Sequence, residues 1–117
     1  MILRPESEAE LLGLIAEIAV DPALELDTAA MLMFLFARTD LEFCPPKAAM
    51  PKMMGRATSG AHVGVVRLGR MFREAQRAGY LAKATGYIPW RGRQPVYTFI
   101  VGGKAQIADI IRLGGAL

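Results

Sequence analysis

From Glu6 to Val20 apolar residues recur at helical spacing, at Leu11, Leu12, Leu14, Ile15, Ile18 and Ala19, which predicts a first amphipathic helix. Ser7 followed by Glu10 has the spacing of a capping box. Asp21-Pro22 closes the helix, because the proline ring disfavours helical backbone at Asp21. A second helix is expected from a cap at Asp27 or Thr28 to about Arg38; it is apolar nearly all round and so belongs at the centre of the core. Cys44-Pro45-Pro46 then reads as an extended connector. Pro51 fits a helix only in its first turn, so a short helix is placed from about Pro51 to Arg56, with Lys47 as the alternative start. Turn chemistry follows at Thr58-Ser59-Gly60. The longest helix is expected from about Ala61 to Ala78, with Val65, Leu68, Phe72 and Ala75 on one face and Gly79 as its closing glycine. Tyr80–Ile88 and Pro95–Val101 read as strands around a turn at Trp90-Arg91-Gly92-Arg93-Gln94. A last short helix, Lys104 to about Leu113, sets Ile107, Ile110 and Ile111 on one side.

Composition narrows the class. A chain of 117 residues suits a single domain, and 53% hydrophobic residues exclude a disordered one. No apolar run reaches the roughly 18 residues that suggest a membrane span. The N-terminus turns acidic at Glu6 and lacks the regions of a signal peptide, so a cytoplasmic protein without membrane contact is expected. A lone cysteine, Cys44, excludes an internal disulfide and a cysteine-clustered zinc site. With His62 the only histidine and few acids in the basic half, an enzyme is not expected, nor is a cofactor or a metal. The methionines resemble core filler, and the glycine pairs at 102–103 and 114–115 lack any phosphate-loop context.

Charge is unevenly placed. Residues 1–45 carry Arg4 and Arg38 against nine carboxylates, whereas residues 46–117 carry twelve Lys and Arg against Glu74 and Asp109. Such asymmetry suggests a face for a polyanion. With Leu68 and Phe72 buried, Arg67, Arg70, Arg73 and Arg77 lie along the remaining arc of the longest helix, with only Glu74 among them. Solvated faces usually mix signs, which favours nucleic acid. Arg67 and Arg70, three apart, form the natural pair for a groove, since the arginine fork suits guanine edges and phosphates. Arg73 and Arg77 more naturally meet phosphates. Arg91 and Arg93 flank Gly92 at the hairpin tip and suit a narrow minor groove. Lys52 and Arg56, with Lys47, are placed on the phosphate backbone. His62 is a candidate for a DNA contact or a pH switch, with an ordinary capping or surface histidine as an equal reading.

Short helix, turn, long helix ending in Ala78-Gly79-Tyr80-Leu81, then a hairpin with a basic glycine turn: this order resembles the winged helix-turn-helix of bacterial and archaeal transcription regulators. The resemblance covers about Asp27 to Val101 and is carried chiefly by Leu68–Leu81 and by Gly92-Arg93-Gln94-Pro95-Val96-Tyr97. It departs from the pattern between Phe43 and Ala61, where the segment is long and Pro51 sits where the first helix of the pair belongs. The resemblance implies that the long helix enters the major groove and that the hairpin is a wing on the backbone or minor groove. The fold expected is α+β and mainly helical: one domain over 1–117, with an N-terminal helix at 6–20, a winged helix-turn-helix at 27–101 carrying a two-stranded wing, and a C-terminal helix at 104–113. The function expected is sequence-specific binding of double-stranded DNA by a homodimeric transcription regulator, with no effector indicated. Alternatives are a plasmid or phage replication or partition protein, and a winged helix that serves as a protein-contact subunit. The apolar faces of the first and last helices motivate the dimer.

Overall fold

A computed structural model describes residues 1–45, 50, 64–87 and 95–112, with the backbone alone described at 84–87 and 95–98. In chain order it contains α1 (Glu8–Val20), α2 (Leu26–Ala37), α3 (Val65–Ala78), β1 (Leu81–Tyr87), β2 (Pro95–Val101) and α4 (Lys104–Arg112). The class is therefore α+β and mainly helical, as expected. The short helix placed at Pro51–Arg56 and the turn at Trp90–Gln94 lie outside the described residues.

The core is built around α2. Met31, Leu32, Leu35 and Phe36 of this helix are fully buried. They meet Ile18 of α1 and Leu68, Met71, Phe72 and Ala75 of α3 in one cluster, which also takes in Met50. Leu11, Leu14 and Ile15 of α1 pack against its edge. Burying a Leu- or Phe-sized side chain contributes about 1.5–3 kcal/mol, so this cluster dominates stability.

The hairpin β1–β2 is antiparallel, with Leu81 opposite Val101 and Tyr87 opposite Pro95. Both faces of its base are covered. Leu81, Val101 and Phe99 face the α2–α3 core, where the Phe72 and Phe99 rings sit 5.0 Å apart. Ala82 and Ile100 face the other way, onto Ile107 of α4, with Leu3 and Ile110 at the margin. Side chains alternate across a strand, so one hairpin can be sandwiched in this way. The chain start adds a third edge: Ile2 bridges Val101 in parallel, and the Leu3 amide donates to the Val101 carbonyl at 2.7 Å.

Helix ends correct several expected boundaries. At α1 the Ser7 hydroxyl does accept from the Glu10 amide, at 3.1 Å. At α2 the helix starts at Leu26 after a Glu25 cap, earlier than a cap at Asp27 or Thr28 would allow. The Glu25 side chain makes no cap; the Glu25 amide donates to a Glu74 carboxylate oxygen of α3 at 2.5 Å, and the Thr28 amide of the first turn to Asp27 Oδ1 at 2.8 Å. At α3 the helix starts at Val65, and Gly64 is extended at φ −76, ψ 159. A helix from Ala61 continuous with α3 is therefore excluded. At its end Gly79 takes the left-handed conformation, φ 95, and the Tyr80 amide closes back on the Ala75 carbonyl at 3.0 Å. At α4 the Gln106 side chain accepts from the Gly103 amide at 3.1 Å, a cap from within.

Two polar clusters tie the chain start and the helix junctions to this core. The Arg4 guanidinium donates from Nε to Phe36 (3.1 Å), from Nη1 to Leu41 (2.6 Å) and from Nη2 to Leu35 (2.8 Å) and Arg38, all backbone carbonyls at or beyond the C-terminal end of α2. A cation suits that end, because its orphan carbonyls and the helix dipole are both negative there. The second cluster joins α1, β1 and α4. Tyr80, fully buried, donates its hydroxyl to Asp21 at 2.7 Å, and Lys104 meets the same carboxylate oxygen at 2.9 Å. Lys104 also lies 5.3 Å from the centre of the Tyr80 ring. Burial, and then the bond to Asp21, push the Tyr80 hydroxyl well above its ordinary value.

Arg4→Leu should destabilise the protein by about 2–3 kcal/mol in urea unfolding. Arg4→Lys should recover only part of this, lacking the fork. A loss below about 0.5 kcal/mol, the range of an ordinary surface change, would show that the α2 end does not need its cap.

The Tyr80 hydrogen bond, followed by those from Lys104 and the Ala23 amide, lowers the Asp21 carboxyl from 3.8 to about 2. Between those values the unfolded chain binds more protons than the folded one. The stabilisation is thus complete above about pH 4 and lost as pH falls through about 2. Asp21→Asn should be less stable than the parent at neutral pH, and the difference should shrink across that acid window. Comparison at each pH separates Asp21 from Asp40, which Arg38 also holds at about 2. A difference independent of pH would contradict the linkage.

Candidate nucleic-acid interface

The helix α3 presents its arginines because its buried positions recur every three or four residues. Leu68, Met71, Phe72 and Ala75 turn inward, so Val66, Arg70, Arg73 and Arg77 fall on the opposite side. Arg67 and Glu74 lie on the flank towards the start of α2, as their partners show.

That flank is an ion-pair network. Arg67 donates from Nε to Asp27 Oδ2 at 2.8 Å. Arg70 reaches the same oxygen from Nη2 at 2.7 Å and Glu25 Oε2 from Nη1 at 3.0 Å. The Asp27 carboxylate is only 13% exposed, while the two arginine side chains are 46% and 47% exposed. Burial pushes the Asp27 carboxyl up, but the bonds from Arg67 and the Thr28 amide, with the charges of Arg70 and Arg67, outweigh it and hold it below its usual range. The counter-charge for Arg67 and Arg70 comes from α2, across the core, rather than from α3 itself.

The other expected residues divide. Arg73 and Arg77 are exposed and have no acidic partner among the described residues. With Gln76 between them they line an open concavity of about 370 Å³. Lys52, Arg56, His62, Arg91 and Arg93 lie outside the described residues. Cys44 is partly buried, and burial pushes its thiol up to about 11, which keeps it protonated at neutral pH and removes the thiolate that a redox role needs. No group of three or more His, Cys, Asp or Glu among the described residues is placed to hold a metal ion. No helix among them is long and apolar enough to cross a membrane.

Sequence reasoning missed Glu25, Asp27 and Gln76. The signal for the first two was present: an acidic segment and a basic one in a single small domain attract each other before they attract a partner. The apolar faces of α1 and α4, which motivate a dimer, are partly covered within the chain: Ile18 and Ile107 are fully buried, Leu11, Leu14, Ile15 and Ile110 are partly buried, and Ile111 is exposed. Among the described residues, large apolar exposure falls on Leu26 at 88%, Val66 at 89% and Val65 at 53%, at the starts of α2 and α3, on Leu12 and Val20 of α1 and Ile111 of α4, and on Met1 and Phe43.

Compared with protein-family models, with curated proteins and with solved structures, the chain has no match.

Proposed function

We propose that the protein binds double-stranded DNA as a winged helix, with α3 in the major groove and the β1–β2 hairpin as the wing. The observation that carries this reading is the concavity lined by Arg73, Gln76 and Arg77. Two exposed guanidinium groups one turn apart, with no carboxylate partner among the described residues, suit successive phosphates of a backbone. In this reading α3 is the second helix of the pair, its partner at about Pro51–Arg56 lies outside the described residues, and the hairpin β1–β2 follows directly on α3. Lys52, Arg56, His62, Arg91 and Arg93, outside the described residues, remain further candidate contacts in this reading. A dimeric transcription regulator is its most specific form. Protein contact is the second reading, favoured by the exposed Leu26, Val65 and Val66 at the starts of α2 and α3.

DNA shift assays across salt test it. Each phosphate contact contributes about 0.9 to the slope of log affinity against log salt. Arg73→Ala with Arg77→Ala should flatten the slope by up to about 1.8 and weaken binding to cognate and scrambled duplex alike. An unchanged slope would falsify the phosphate role of α3 and move weight to protein contact.

A homodimer on DNA would draw its interface from the apolar residues left uncovered on the outer helices, Leu12, Val20 and Ile111. Sedimentation should then show a dimer at micromolar concentration, and Leu12→Glu should shift it towards monomer. A monomeric parent excludes that form of the reading.

A further inference from the structure

The four arginines of α3 are not equivalent, and the difference lies in which of their donors are already used. Arg70 has both of its terminal groups on acids, Nη1 on Glu25 and Nη2 on Asp27. Each of these groups keeps a second N–H, but both are oriented by acids of α2, so turning the fork squarely onto a base edge would draw Arg70 away from Glu25 and leave the Asp27 carboxylate, 13% exposed, with one of its two cations. Arg67 is held differently. Asp27 accepts from its Nε, behind the fork, and neither of its Nη groups has a partner among the described residues. A guanidinium carries five N–H donors in a plane, so this arrangement fixes the orientation of the plane while four donors remain.

We propose that Arg67, oriented by Asp27, is the residue through which this protein reads a guanine, and that Arg70 is instead a clasp between α2 and α3. The inference rests on the DNA-binding reading above. A guanine offers O6 and N7 side by side in the major groove, and an arginine fork donates to both at once. Arg67 is the third residue of α3, and the first turns of a helix in a major groove are the ones that reach base edges. Its neighbour Val66, 89% exposed, leaves the approach to the groove unobstructed by charge. Asp27 is a positioning residue: it touches no base, but freezes Arg67 before the DNA arrives, so less side-chain freedom is lost on binding. Asp27 is anchored in turn, its Oδ1 accepting from the Thr28 amide at 2.8 Å. Arg73 and Arg77, with no such brace, supply affinity without choice of sequence.

The experiment uses the full chain and a duplex selected by it from a random library. Discrimination is read as the affinity ratio between the selected site and versions in which each G·C pair in turn is replaced by A·T. Arg67→Lys keeps the charge and loses the fork. It should bind scrambled duplex nearly as the parent does, yet lose about tenfold or more of the discrimination at one G·C pair and at no other. Asp27→Asn should relax the same pair, and Asp27→Glu should restore it in part. Arg70→Ala should weaken binding to all duplexes by a similar factor and leave every ratio unchanged, with a lower melting temperature from the lost clasp. Melting curves confirm that each variant is folded at the assay temperature. The proposal is overturned if Arg67→Lys discriminates like the parent, or if Arg70→Ala is the variant that erases a G·C preference. Salt-sensitive binding by the parent without any preferred site overturns it too, while leaving the DNA-binding reading intact. A parent that binds no duplex overturns both.

Discussion

An apolar helix such as α2 has to bury most of its surface, and the rest of the described structure follows from how its Met31, Leu32, Leu35 and Phe36 are covered. Its flanks are closed by Ile18 of α1 and by Leu68, Met71, Phe72 and Ala75 of α3. Its ends are harder, because exposed backbone groups cannot be satisfied by apolar neighbours. The C-terminal carbonyls are met by Arg4 from the chain start. The N-terminal amide at Glu25 is met by Glu74 of α3. The same segment that hydrates poorly in its middle therefore collects charged partners at both tips, and those partners set where the chain start and α3 must lie.

The electrostatic consequence reaches the candidate interface. Glu25 and Asp27 begin α2, where carboxylates suit the positive end of the dipole. From there they take up Arg67 and Arg70 of α3. Exposed ion pairs contribute little to stability, in the range of about 0–1 kcal/mol, so their larger effect here is on orientation. They divide one row of arginines into a braced pair and the exposed Arg73 and Arg77. A polyanion approaching α3 thus meets cations that differ in mobility and in free donors.

The hairpin depends on the same core from the other side. Phe99 against Phe72 fixes β2 to α3, and Ile100 against Ile107 brings α4 onto the opposite face of the sheet. The Asp21–Tyr80–Lys104 cluster ties the end of α1 to the junction of α3 with β1 and to the start of α4. Rotation of α3 would have to disturb this cluster as well as the α2 contacts. The arginines are carried by a rigid element, which suits a surface that has to match a regular double helix.

Much of the local structure was legible in the sequence because it is decided within a few residues. The cap at Ser7 was legible, although the helix read from Glu6 begins at Glu8, and Gly79 marks the end of α3, since only glycine enters the left-handed region freely. Pro95–Val101 matches its strand as read. What was not legible depends on partners distant in the chain. The start of α2 at Leu26 rests on a cap that belongs to Glu74, 49 residues away, and no local pattern announces it. The start of α3 at Val65 rests on Gly64 being extended, where periodicity alone allowed helix from Ala61. A basic arc on α3 followed from spacing and charge in the sequence. Which of its arginines are paired, braced or open was decided only when folding laid the acidic start of α2 beside Arg67 and Arg70, because ion pairing depends on distance in space and not on separation along the chain.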